Sequence, residues 1–123
     1  MNFDWSHYLD LAQELYQQAT TSPHKEADLR SSVSRAYYSA FHKARLIAQY
    51  KWSISIPQTA DAHSIVRAEF SRRSYRKIVA NLGRMRFYRN KADYDDVVND
   101  LADIAKENLK LSKQVIESLK TIM

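Results

Sequence analysis

The 123-residue chain contains no cysteine, one glycine and two prolines, and each scarcity removes a class of protein. Without cysteine there is no disulfide, no thiolate nucleophile and no cysteine-ligated metal. With Gly83 as the only glycine, a glycine-rich phosphate loop of the P-loop or dinucleotide-binding kind is excluded. A sheet rich in tight turns is disfavoured for the same reason. No long uncharged apolar run could span a bilayer and no signal-peptide pattern is present, so a soluble cytoplasmic protein is expected. The four histidines (His7, His24, His42, His63) lack the spacing of a helical metal site, and no nucleophile elbow occurs. Neither a metal nor a cofactor is expected.

What is abundant is Ala, Leu, Lys, Arg, Gln and Glu, all strong helix formers. The length suits one domain, 1–123, able to bury its own core. Apolar spacing of three and four predicts helices over about 4–20, 25–51, 60–72 and 75–91, and a last one to Ile122. Asp93, Asp95 and Asp96 are expected to open that last helix, where carboxylates suit the positive end of the dipole, and Ser74 to cap the fourth. Val97 would then begin the last apolar stripe. Asn108 interrupts that stripe and, if buried, needs a cross-helix hydrogen bond. The alternation at 53–57 lacks a partner strand and reads as loop. The fold class is all-α: an antiparallel up-down four-helix bundle with an additional short helix.

The second helix has two distinct faces. Ala36, Ala40, Ala44 and Ala48 form a row that lets another helix approach closely. Arg35, His42 and Gln49 recur at seven-residue spacing on another side, where packing does not require them. The fourth helix has its own anomaly: Ile78, Leu82, Met85 and Arg89 share one stripe. A guanidinium at that position must snorkel, meet a carboxylate or line a cleft.

Charge is unevenly spread. Between Arg67 and Lys91 there are nine basic residues and one acid, Glu69, so the segment carries +8 and the remainder −3. A basic flank on a mildly acidic body suits contact with RNA or DNA backbone; a solvated helix face is the bland reading of the same pattern. Chemistry that needs neither metal nor cofactor fits these residue types, notably RNA cleavage by the 2′-hydroxyl. Imidazole moves the proton in that reaction and guanidinium grips the phosphorane. Arg35 and His42 have the right side chains for it on one helix face, although such pairs are also common on polar surfaces.

Residues 35–44 (Arg-Ala-Tyr-Tyr-Ser-Ala-Phe-His-Lys-Ala) resemble the second-helix signature of HEPN domains, in their small stand-alone prokaryotic branch. Ala62-His63-Ser64-Ile65-Val66 with Phe70 is similar to that branch's short-helix motif, and Arg89 followed by Ala92-Asp93-Tyr94 to its block before the last helix. The resemblance implies a homodimer whose paired fourth-helix ends form a cleft. In many members that cleft is a metal-independent ribonuclease, often a toxin neutralised by a minimal nucleotidyltransferase antitoxin. The family motif is Arg, often with Asn next, and a His after four to six residues. Here Arg89-Asn90 begins it, but the following positions are Tyr94, Asp95 and Asp96. A phenol ordinarily ionises near pH 10 and is a poor base at neutral pH. Asp96 also stands where some members carry an adenylylated tyrosine, so that regulation does not carry over.

Three readings follow. The first is a dimeric module contacting RNA, tRNA included, through Arg76, Lys77, Arg84, Arg86, Arg89 and Lys91, in a toxin–antitoxin or defence-type system and with no role at a membrane. The second is an endoribonuclease using Arg89 for phosphate, Asn90 and Tyr94 for orientation and His42 for proton transfer. The third is a partner-binding scaffold in which Arg89 pairs with Asp93 or Asp96.

Overall fold

The computed structural model describes residues 2–123, and among these there is no strand. Five helices form: α1 (Ser6–Gln18), α2 (Lys25–Leu46), α3 (Ala62–Arg72), α4 (Arg76–Tyr94) and α5 (Leu101–Lys120). A 3₁₀ turn at Ala19–Thr21 finishes α1, and a wider π turn at Ile47–Lys51 carries α2 on to the residue where its pattern was expected to end. Residues 53–57 are irregular, as the lack of a partner strand implies. Among the described residues no helix is long and apolar enough to cross a membrane.

Helix α2 is the hub, packing against α1, α4 and α5. Its alanine row is fully buried: Ala36, Ala40, Ala44 and Ala48 expose nothing to solvent. Ala36 meets Ala12 of α1 and Leu109 of α5, while Tyr37, Phe41 and Ala44 join the main core of Val66, Phe70, Leu82, Met85, Val115 and Leu119. Two buried serines of α2 reach the backbone of α1: Ser32 donates to the Ala12 carbonyl at 2.7 Å and Ser39 to that of Trp5 at 2.8 Å. With Ala12 facing Ser32 and Trp5 facing Ser39, α1 runs antiparallel to α2. Asn108, fully buried on α5, donates from Nδ2 to the Val33 carbonyl at 3.1 Å, the cross-helix bond its position demands.

Two expected boundaries are displaced. Asp93, Asp95 and Asp96 do not open the last helix: α4 continues through Tyr94, and α5 starts only at Leu101. The cause lies in pairs at i,i+4 spacing, Arg89 with Asp93 at 3.0 Å and Lys91 with Asp95 at 3.8 Å, which extend α4 by a turn. Arg30 of α2 closes that turn, donating to the carbonyls of Ala92, Asp95 and Asp96 at 3.0, 2.6 and 3.1 Å. Carbonyls at a helix C-terminus otherwise lack partners, and a cation suits that end of the dipole. Val97 consequently lies in the connection, 77% exposed, rather than on an apolar stripe. Ser74 is likewise not a cap. It sits at φ 67°, and α4 begins after Tyr75 with no side-chain cap. With a single glycine available, the chain places Ser53, Ser74 and Asp100 in the left-handed region.

Candidate functional site

The sequence-marked face of α2 is covered rather than open. Arg35 lies over the Tyr8 ring, 4.9 Å from its centroid, and His42 stacks on Trp5 at 3.8 Å. Arg45 donates from Nε to His42 Nδ1 at 2.9 Å and from Nη1 to Gln49 Oε1 at 2.6 Å. Guanidinium is only a donor, so Nδ1 is the acceptor and the proton of the neutral imidazole is on Nε2. Burial pushes His42 down to about 4, and the Arg45 charge and His63 push the same way.

Arg89 does not snorkel out: its side chain is only 13% exposed and packs against Tyr38 of α2. Its Nη2 donates to the Tyr38 hydroxyl at 2.5 Å and its Nη1 to Asn90 Oδ1 at 2.7 Å. The guanidinium lies over the Tyr38 and Tyr94 rings, 5.1 and 5.6 Å from their centroids. Nε is 3.0 Å from Asp93 Oδ2, an ion pair whose angle is too poor for a hydrogen bond. Asn90, Tyr94 and Arg89 are thus brought together. His42 makes no contact with Arg89 itself; Tyr38 lies between them, its ring stacked near His42 at 5.8 Å and its hydroxyl bonded to Arg89.

The histidine that feels the Arg89 charge is His63 on α3. Tyr37 Oη lies 2.5 Å from its Nδ1, and burial pushes its pKa down to about 4, helped by the charges of Arg86, Arg89 and Arg67 in that order. Burial also pushes the Tyr37 phenol upward. Arg67, one turn beyond His63, reaches across to α4 above Gly83. A methyl group at Gly83 would stand 3.3 Å from Arg67 Nη1. Arg86 follows one turn later on α4. The Nε atoms of Arg67 and Arg86 are buried without a hydrogen-bond partner, and neither residue is in an ion pair among the described residues. The charges of all three guanidiniums reach His63, and of the three only Arg89 is paired with a carboxylate, Asp93. Arg67 and His63 were missed as site residues, although their i,i+4 spacing and the lone glycine opposite were both readable.

The six basic residues expected to contact RNA do not form one surface. At 100° per residue, Arg86 and Arg89 lie about 60° apart on α4, while Arg84 and Lys91 lie about 140–160° from them around the helix. Arg84 there donates to the Tyr88 hydroxyl at 3.2 Å, and Lys91 lies over exposed Phe87 at 5.5 Å. Arg76 and Lys77 are exposed at the opposite end of α4, about 20 Å from Arg89 along the axis. Among the described residues no group of three His, Cys, Asp or Glu could hold a metal ion.

These features define a small all-α bundle whose short third helix lays Arg67 against the fourth. The chain belongs to the HEPN domain family, whose family model matches residues 5–122. No curated protein and no solved structure gives a significant match. The matched span includes all three resembling blocks, and the cleft is where they meet: Tyr37 and Tyr38 from the first, His63 from the second, Arg89 and Tyr94 from the third.

Proposed function

We propose that this chain is an RNA-binding HEPN module that grips the RNA backbone in the cleft between α2, α3 and α4. It would work as a homodimer in a toxin–antitoxin or defence-type system, with a minimal nucleotidyltransferase as the antitoxin partner. The observation that carries the reading is the convergence of Arg67, Arg86 and Arg89 with two buried Nε atoms left unpartnered. Guanidinium presents a donor fork to phosphate, and a buried N–H without a partner is unfavourable until an acceptor arrives. Exposed Phe87, Tyr94 and Val97 at the end of α4 offer apolar surface for a second copy to cover. Affinity for single-stranded RNA should fall linearly with the logarithm of salt, with a slope near −2 if about three phosphates are engaged. Fluorescence anisotropy across a salt series measures it, and salt-independent affinity would remove the reading.

One observation favours the ribonuclease reading of the same cleft: a neutral histidine lies in the field of Arg89. It is His63, since Arg45 holds His42 Nδ1. In this reading Arg89 stabilises the phosphorane, Asn90 and Tyr94 orient it, and His63 moves the proton. Cleavage of tRNA or total RNA with chelator present should then vanish in both Arg89→Ala and His63→Ala. A parent protein that leaves RNA intact under these conditions would exclude it.

A further inference from the structure

Next to the arginine cluster is a cavity of about 380 Å³, closed on one side by α2 and on the other by the connection between α2 and α3. This is within the size range of small-ligand sites. Tyr38, Phe41 and Trp5, the last stacked on His42, contribute aromatic rings to its lining. Ile56, Pro57, Gln58 and Thr59 of the connection complete the lining. The side chains of Gln58 and Thr59 are exposed and make no hydrogen bond among the described residues. Flat apolar walls with a few free donors and acceptors at the rim match the faces and edges of a heterocyclic base.

Two residues join this cavity to the arginines. Tyr38 lines it and, through its hydroxyl, accepts from Arg89. His63 lines it as well, and it lies within the fields of Arg67, Arg86 and Arg89. Tyr38 and His63 therefore stand between the cavity and the arginines, and a nucleotide spans base and phosphate through its sugar ring. Resting on the RNA reading above, we propose that the cavity receives one unstacked base of a single RNA strand while that nucleotide's phosphate lies on Arg67, Arg86 and Arg89. His42 Nε2–H, fixed as a donor by Arg45, faces an acceptor on the base edge; Gln58 and Thr59 supply adaptable contacts. A base paired in a duplex cannot enter, so the site selects single strands.

The test compares three labelled RNA probes by anisotropy at one salt concentration: a single-stranded 12-mer, the same backbone with abasic ribose throughout, and the 12-mer annealed to its complement. Loss of one stacked base should weaken the abasic probe about 10-fold relative to the intact strand, and the duplex should be weakened at least as much. The double substitution Gln58→Ala with Thr59→Ala, on an exposed loop, should narrow the gap between intact and abasic probes without altering the salt slope. Equal affinity for intact and abasic strands would overturn the cavity proposal and leave the RNA reading standing. So would a duplex bound as tightly as the single strand, or a gap unchanged in the loop variant. If folded protein bound none of the three probes, the RNA reading and this proposal would fall together.

Discussion

Replacing Arg67 and Arg86 together by glutamine should weaken RNA binding about 30-fold, and adding Arg89→Gln should carry the loss beyond about 100-fold. Each charge-assisted bond to phosphate contributes roughly 1.5–3 kcal/mol, discounted here because losses within one site are not additive. Stability separates the residues further. Arg67 and Arg86 bury Nε without a partner, so neutral replacements relieve like-charge repulsion, and thermal stability should stay level or rise. Arg89 holds Tyr38 and Asp93, and its replacement should lower stability by about 1 kcal/mol. Arg76→Gln with Lys77→Gln, at the other end of α4, should reduce affinity only a few fold. Anisotropy and thermal melts on the same samples measure all of this, and a double variant that binds RNA like the parent would refute the cleft.

Acidification should destabilise the protein well before its carboxylates protonate. His42 and His63 ionise near 4 when folded and near 6.5 when unfolded. The unfolded chain therefore binds more protons between these values. The associated stability is complete above about pH 6.5 and is lost as pH falls toward 4. Both residues are partly exposed, so solvent screening reduces the contribution to about 1–2 kcal/mol each. The melting temperature should drop by roughly 8–15 °C between pH 7 and 4.5. The double variant His42→Gln with His63→Gln should lose much less over that interval; an identical loss in parent and variant would contradict the assignment. Asp4 acts in a separate, lower window. The Ser6 hydroxyl and amide, with Lys43, hold its carboxyl well below the usual range, so its contribution is lost only as acid reaches that group.

Most of the fold was legible because apolar spacing is a local signal and the alanine row admits few packings. The misreading at 93–100 shows where local signals compete. An aspartate cluster reads as the start of a helix, yet the same carboxylates satisfy cations one turn earlier, and the donor that ends α4 comes from Arg30, more than sixty residues away in sequence. The site was half legible. Arg89 was conspicuous on an apolar stripe, but which histidine faced it depended on helix packing, and the Arg45 bond that occupies His42 depended on rotamers. Arg67 enters the cleft only because α3 and α4 meet at Gly83.

That meeting point has a consequence for the cleft's charge. A mid-helix glycine lowers helix stability by about 1 kcal/mol relative to alanine, and at Gly83 the missing methyl leaves the space over which Arg67 extends. Positive charge density in the cleft is therefore a function of the gap between two helices: the closer α3 lies on α4, the more concentrated the guanidiniums become, and the packing distance itself sets how strongly the protein attracts an anion.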